Sequence, residues 1–243
     1  MRIGLYLVLL LLFCCCKSKT EGQANFNNVD RVATARDSIG ESLEKAVRDF
    51  GAKPGSAIFL RAFKQEKQME LWMKKDSVFY RFKTYNICYV PGRPGPKRKQ
   101  GDGQVPEGVY YIDRFNPESN FHLSLRVNYP NESDRILSDR EKPGGEIYIH
   151  GNCVSVGCIP IEDDNIEEVY LLALDATNGG QEQIPIHIFP CRLNDNNLLD
   201  LVDSDLFNRS FWENLQTVYA SFEQKKVVPR VSVNSPGRYE VQN

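Results

Sequence analysis

Beyond residue 37 the spacing of apolar positions switches repeatedly between two periods. In SIGESLEKAVRDF, residues 38–50, Ile39, Leu43, Ala46, Val47 and Phe50 fall on one helical face, and Gly51 stops the run. The next runs are rich in aromatic and β-branched residues: AIFLRAF (57–63), MELWM (69–73) and VFYRFKTYNICYV (78–90). Each predicts a strand, as do VYYIDRF (109–115), FHLSLRVNYP (121–130), EIYIH (146–150) and IPIHIFP (184–190). The helical period returns in DNIEEVYLLALDATNG (164–179) and FWENLQTVYASFEQ (211–224). In the first of these, Asp163 or Asp164 is placed to cap, Glu167 and Glu168 favour the first turns, and Gly179 ends the helix. PGRPGPKRKQGDGQVPEG, residues 91–108, has neither period and is dense in Gly and Pro. A connection that long inside a compact domain is usually functional or mobile. The pattern predicts an α+β fold, a mostly β core with flanking helices, as one domain over residues 38–243.

The N-terminal residues predict no part of that core. Arg2 precedes an apolar run from Ile3 to Phe13, about half of what a spanning helix requires. The run suits the core of a secretory signal. It ends in Cys14-Cys15-Cys16, where a usual signal would show small residues, and so resembles a bacterial lipoprotein signal. That resemblance implies a signal peptide over residues 1–15, an acylated cysteine at Cys15 or Cys16, and a polar tether over residues 16–37. The expected location is the cell envelope of a Gram-negative-type bacterium, facing the periplasm and held at the membrane by acyl chains. A short membrane anchor with incidental cysteines is the plainer alternative.

Composition narrows the field. With 30 basic and 32 acidic residues the net charge is −2, which gives no basis for nucleic-acid binding. The one compact basic run, Lys97-Arg98-Lys99, reads as a solvated loop. Past the leader, Cys88, Cys153, Cys158 and Cys191 remain. An even number in an exported chain opens a disulfide reading, and spacing leaves the pairing undecided.

The chemistry concentrates in IHGNCVSVGCIPI, residues 149–161. A cysteine nucleophile needs a base, donors for the developing oxyanion, and access. His150 ends a predicted strand eight residues before Cys158, and the loop between them can fold back. Gly157 allows a sharp turn that would turn the amides of Gly157 and Cys158 toward a carbonyl oxygen. Cys153 reads as a small buried side chain in preference to a redox partner of Cys158. A metal knot of His150, Cys153 and Cys158, with Cys191 or His187, lacks the tight paired spacing of structural zinc. Spacing alone leaves structure and catalysis about equal for His150 and Cys158.

The same stretch resembles the active-site segment of the L,D-transpeptidase catalytic domain, in its YafK-like branch, through His150, Gly151, Ser155, Gly157 and Cys158. The resemblance continues in GDGQVPEGVYYI (101–112), NPESNFHLSLRVNYPNESD (116–134), PIHIFPCRL (185–193) and FWENLQTVYASFE (211–223). It implies a β-sandwich-like domain acting on peptidoglycan stem peptides without a cofactor or metal. Cys158 is then the nucleophile that forms a thioester and His150 the base and later acid. Gly157 would supply oxyanion donors, and Ser155 and Gly151 would position the segment. His122, Tyr129 and Asn131 would line the groove, with strand packing and turn formation as the equal alternative. Val156 stands where many members of the wider family carry histidine. The acceptor stays open: an amine makes the protein a transferase, water makes it a peptidase cutting wall peptides or wall-to-protein links. A non-catalytic peptidoglycan-binding lipoprotein is the further alternative.

Overall fold

A computed structural model of the protein describes residues 30–242. The expected signal peptide, Cys15, Cys16 and residues 16–29 of the expected tether lie outside the described residues. The tether ends earlier than the sequence pattern indicates. Helix α1 spans Arg31–Asp49, and the Asp30 side chain caps it by accepting from the Val32 and Ala33 amides. Its first turns carry few apolar residues, so the period becomes visible only at Ile39. They are held all the same: Ala35 is buried, and Arg36 makes a two-pronged ion pair with Asp175.

The expected strands appear as β1 (Ile58–Phe63), β2 (Gln68–Lys75), β3 (Val78–Asn86), β4 (Gly108–Asn116), β5 (Ser124–Val127), β6 (Ile147–His150) and β8 (Ile184–Phe189). A two-residue strand, β7 (Ile159–Pro160), completes an eight-stranded sheet in the order β3-β2-β1-β8-β4-β5-β6-β7. The pairs β1–β8 and β6–β7 are parallel and the others antiparallel. β5 is shorter than its pattern because His122 takes a left-handed backbone (φ 68°) just before it.

β1 shows why the centre of the sheet reads as a continuous apolar run. Ile58, Leu60 and Ala62 face a core closed by α1 and by α3 (Asp163–Asn178), while Phe59 and Phe63 pack on the opposite side. There α4 (Asp195–Ser204) and α5 (Arg209–Lys225) cover the sheet through Leu198, Leu201, Trp212, Leu215 and Phe222. Arg61 enters this layer as a buried cation among aromatic rings, ion-paired to Glu223 at 2.7 Å. Three elements had no clear period: α2 (Glu132–Leu137), α4, and a hairpin of β9 (Arg230–Val233) with β10 (Tyr239–Gln242). No helix among the described residues is long and apolar enough to cross a membrane.

The 91–108 connection is firmly tied. Buried Lys64 donates to the carbonyls of Gly95 and Val105 and pairs with Glu107 at 2.8 Å. Glu107 also accepts from Trp212 Nε1 at 2.8 Å and from the Gly95 amide. Asp102 gathers the amides of Arg98, Lys99 and Gln104. Lys97 is therefore buried and paired with Asp102 at 2.6 Å, a correction to the solvated-loop reading of that basic run.

Candidate active site

β6 and β7 set the side chains of His150 and Cys158. Their register pairs Ile149 with Ile159 and His150 with Pro160. One step back, Cys158 falls level with Tyr148, on the same face as His150 because side chains alternate along a strand. One strand spacing and two residues of rise place the Cα atoms of His150 and Cys158 about 8 Å apart.

His150 is buried, with Phe121 packed against its ring at 4.7 Å. Its Nδ1 lies 2.5 Å from the Gly151 carbonyl. A carbonyl only accepts, so Nδ1 carries the proton and Nε2 of the neutral ring is the free acceptor. Burial pushes the imidazole pKa below its ordinary value, and the Gly151 carbonyl partly opposes that. Gly151 is required by close approach: a Cβ there would collide with Asp163 and with the Phe121 backbone. Asp163 uses the same carboxylate to hold the Asn152 amide at 2.7 Å. The expected capping role for Asp163 or Asp164 is thus corrected, since Glu162 precedes the helix without any side-chain cap.

Cys158 is half-buried. Its sulfur accepts the Tyr148 N–H at 3.4 Å and donates to the Glu146 carbonyl at 3.6 Å. Burial pushes the thiol pKa up, the Tyr148 N–H pulls it back, the Glu146 charge raises it, and the Lys97 charge lowers it. Both shifts favour the uncharged forms, a protonated thiol and a neutral imidazole. The sulfur opens on a cavity of about 620 Å³ between the 97–103 and 141–147 segments, with Lys97, Lys142 and Glu146 in its walls.

The turn before Cys158 is built around Ser155. Its Oγ accepts from the Gly157 amide at 3.1 Å and the Cys158 amide at 2.8 Å, and donates to the Cys158 carbonyl at 2.9 Å. The two amides expected to stand open for an oxyanion are occupied in this state. Gly157 holds φ +152°, beyond ordinary L-residues, with the Gln104 carbonyl 3.2 Å from where a Cβ would stand.

Cys153 departs from its expected role. It is exposed and disulfide-bonded to Cys88, with 5.6 Å between Cα atoms. The metal knot loses its ligand set as well. Cys153 and Cys88 consume each other's sulfur beside Glu162, and His187 and Cys191 are buried on the core strand β8 and just after it. His187 is pushed down to about 3 by burial and by Arg61.

His122, Tyr129 and Asn131 do not line the cavity at Cys158. His122 Nε2 meets Glu167 at 2.6 Å, and its carbonyl accepts from Arg31. Tyr129 supports the cavity walls from beneath, its hydroxyl donating to the carbonyls of Pro143 and Lys97. Asn131 caps α2 and donates to the Val109 carbonyl. The features no single motif disclosed are the Cys88 bridge, the Phe121 lid over His150 and the buried Lys97. The even cysteine count was the only sequence signal for the first.

The mostly β sheet with flanking helices thus carries His150 at the end of β6 and Cys158 just before β7. Residues 58–188 match the family model for the L,D-transpeptidase catalytic domain, YkuD. The chain is 34% identical over 189 residues to the Escherichia coli K12 protein named "Putative L,D-transpeptidase YafK", covering 77% of this chain and 74% of that one. The protein belongs to the L,D-transpeptidase catalytic-domain family. It is also similar to the helical cell shape determining protein Pgp2 of Campylobacter jejuni (K307A mutant), at 21% identity and TM-score 0.45, covering 74% of this chain and 67% of that one. Mycobacterium tuberculosis L,D-transpeptidase 1 aligns at 16% identity and TM-score 0.32 over 55% of this chain and 62% of that one.

Proposed function

We propose that this protein is a peptidoglycan-modifying L,D-transpeptidase whose Cys158 forms a thioester with a stem peptide and passes it to an amine. The observation that carries the reading is the tautomer lock on His150: Nδ1 is committed to the Gly151 carbonyl, leaving Nε2 basic on the face that carries Cys158. As sulfur bonds to the carbonyl carbon, the thiol proton passes to Nε2. Collapse expels the departing amine, which takes that proton back, and the thioester remains. Family membership supports an enzyme acting in the bacterial envelope. Anchoring through Cys15 or Cys16 and action on a wall-linked protein extend that reading. Hydrolysis of the same thioester is the second reading, favoured by the cavity at Cys158, which carries Lys97, Lys142 and Glu146 in its walls and leaves room for water at the sulfur.

A carbapenem-type acylating agent should add one equivalent to the intact protein, mapped to Cys158. Cys158→Ala should abolish both labelling and turnover of a defined muropeptide, with Tm nearly unchanged. A folded protein with no label, or a label on Cys191, would sink the reading. Product masses with and without an added amine decide between transfer and hydrolysis.

A further inference from the structure

Resting on the reading of Cys158 as nucleophile, we infer that the backbone N–H of Tyr148 is the principal oxyanion donor of this site. β7 is two residues long, and beyond it the edge of β6 has no strand beside it. The groups left open there are the Tyr148 N–H and the Glu146 carbonyl, and the Cys158 sulfur sits against both. Glu146 turns the chain into this edge with a left-handed backbone (φ 53°), a conformation uncommon for a residue with a side chain.

The energetic argument is a difference between ground and transition states. Sulfur is a weak acceptor, so the Tyr148 N–H gives up little when an oxyanion replaces it. The amides of Gly157 and Cys158 already donate to a hydroxyl oxygen at 3.1 Å and 2.8 Å. Using them draws both amides away from Ser155 Oγ, the acceptor that shapes the turn before the nucleophile. A donor weakly bonded at rest and strongly bonded in the transition state accelerates the chemical step; a donor equally satisfied in both does not. Position agrees. An N–H 3.4 Å from sulfur lies within reach of an oxygen on the carbon that sulfur has just bonded. As the S–C bond forms and the thiol proton leaves for His150, the carbonyl π pair moves to oxygen and is met by this N–H. Ser155 is then a positioning residue that keeps the turn closed through the reaction.

The test uses the whole protein and a stem-peptide analogue ending in an aldehyde at the L-centre, which adds to Cys158 as a hemithioacetal. On adduct formation the amide proton of Tyr148 should move strongly downfield, with those of Gly157 and Cys158 little changed. The reverse pattern overturns the inference while leaving Cys158 as nucleophile. Absence of any adduct on Cys158 overturns both. A second arm replaces the Tyr148 peptide N–H by an ester oxygen, keeping the tyrosine side chain. Thioester formation should slow by about a hundredfold with KM nearly unchanged; an unchanged rate in a folded protein rejects the assignment.

Discussion

At the scale of single residues, the chemistry depends on small choices around a histidine and a thiol. The His150 tautomer is fixed by a neighbouring carbonyl, and burial keeps the ring neutral. Because that pKa lies below the ordinary histidine value of about 6.5, the base is already unprotonated at neutral pH. Thioester formation should therefore stay constant as pH falls to that value and decline only below it. A rate profile with defined muropeptide between pH 4 and 8 checks this. An acid limb centred above pH 7 would mean that His150 rests protonated, with its pKa raised above the ordinary value. His150 and Cys158 were legible as residues, from their spacing and the wider resemblance. The state in which they rest was not, because it depends on burial and on charges from Lys97 and Glu146, far apart in the chain.

At the scale of elements, the connector from His150 to Cys158 is pinned from both sides. Asp163 holds the Asn152 amide, and the Cys88–Cys153 bridge ties the same turn to the segment after β3. The Cys88 amide also donates to the Pro160 carbonyl of β7. The bridge closes a loop of sequence separation 65, so its loss should cost roughly 2–4 kcal/mol. The double variant Cys88→Ser, Cys153→Ser should lose that much in denaturant unfolding. It should also form its thioester more slowly with the Cys158 thiol still present, and thiol titration checks the latter. Equal stability and equal rate would make the bridge incidental. The sequence showed an even set of cysteines, but pairing is a matter of which strand ends meet, and the sheet order sets that. The same holds for the 91–108 connection: its Gly and Pro content predicted irregular backbone, while the buried pair that fixes it joins Lys64, just after β1, to Glu107, just before β4.

At the scale of the whole molecule, α1 matters more than its pattern suggested. Arg31 donates to the Ser119 and His122 carbonyls at 2.6 Å and 2.5 Å, next to the Phe121 ring that covers His150. A chain beginning at residue 38, the boundary visible in the hydrophobic period, loses these bonds and the partly exposed Arg36–Asp175 pair. Compared with a chain beginning at residue 30, it should be less stable by about 1–2 kcal/mol and slower in thioester formation. Thermal unfolding and acylation rates of the two chains test this, and equal values would return the boundary to residue 38.

The sequence by itself determined the local elements, because helical and strand periods survive in any environment. It also singled out His150 and Cys158 as candidates, because a histidine, a cysteine and a glycine that can turn the chain are written within one short stretch. Tertiary structure alone decided which cysteines bond, which cation is buried beside the cavity, and which amides are free at the sulfur. Those properties arise where distant segments meet, and the short β7 strand shows why. Two residues of pairing carry almost no pattern in the sequence, yet their end leaves the edge of β6 open and places the Cys158 sulfur against it.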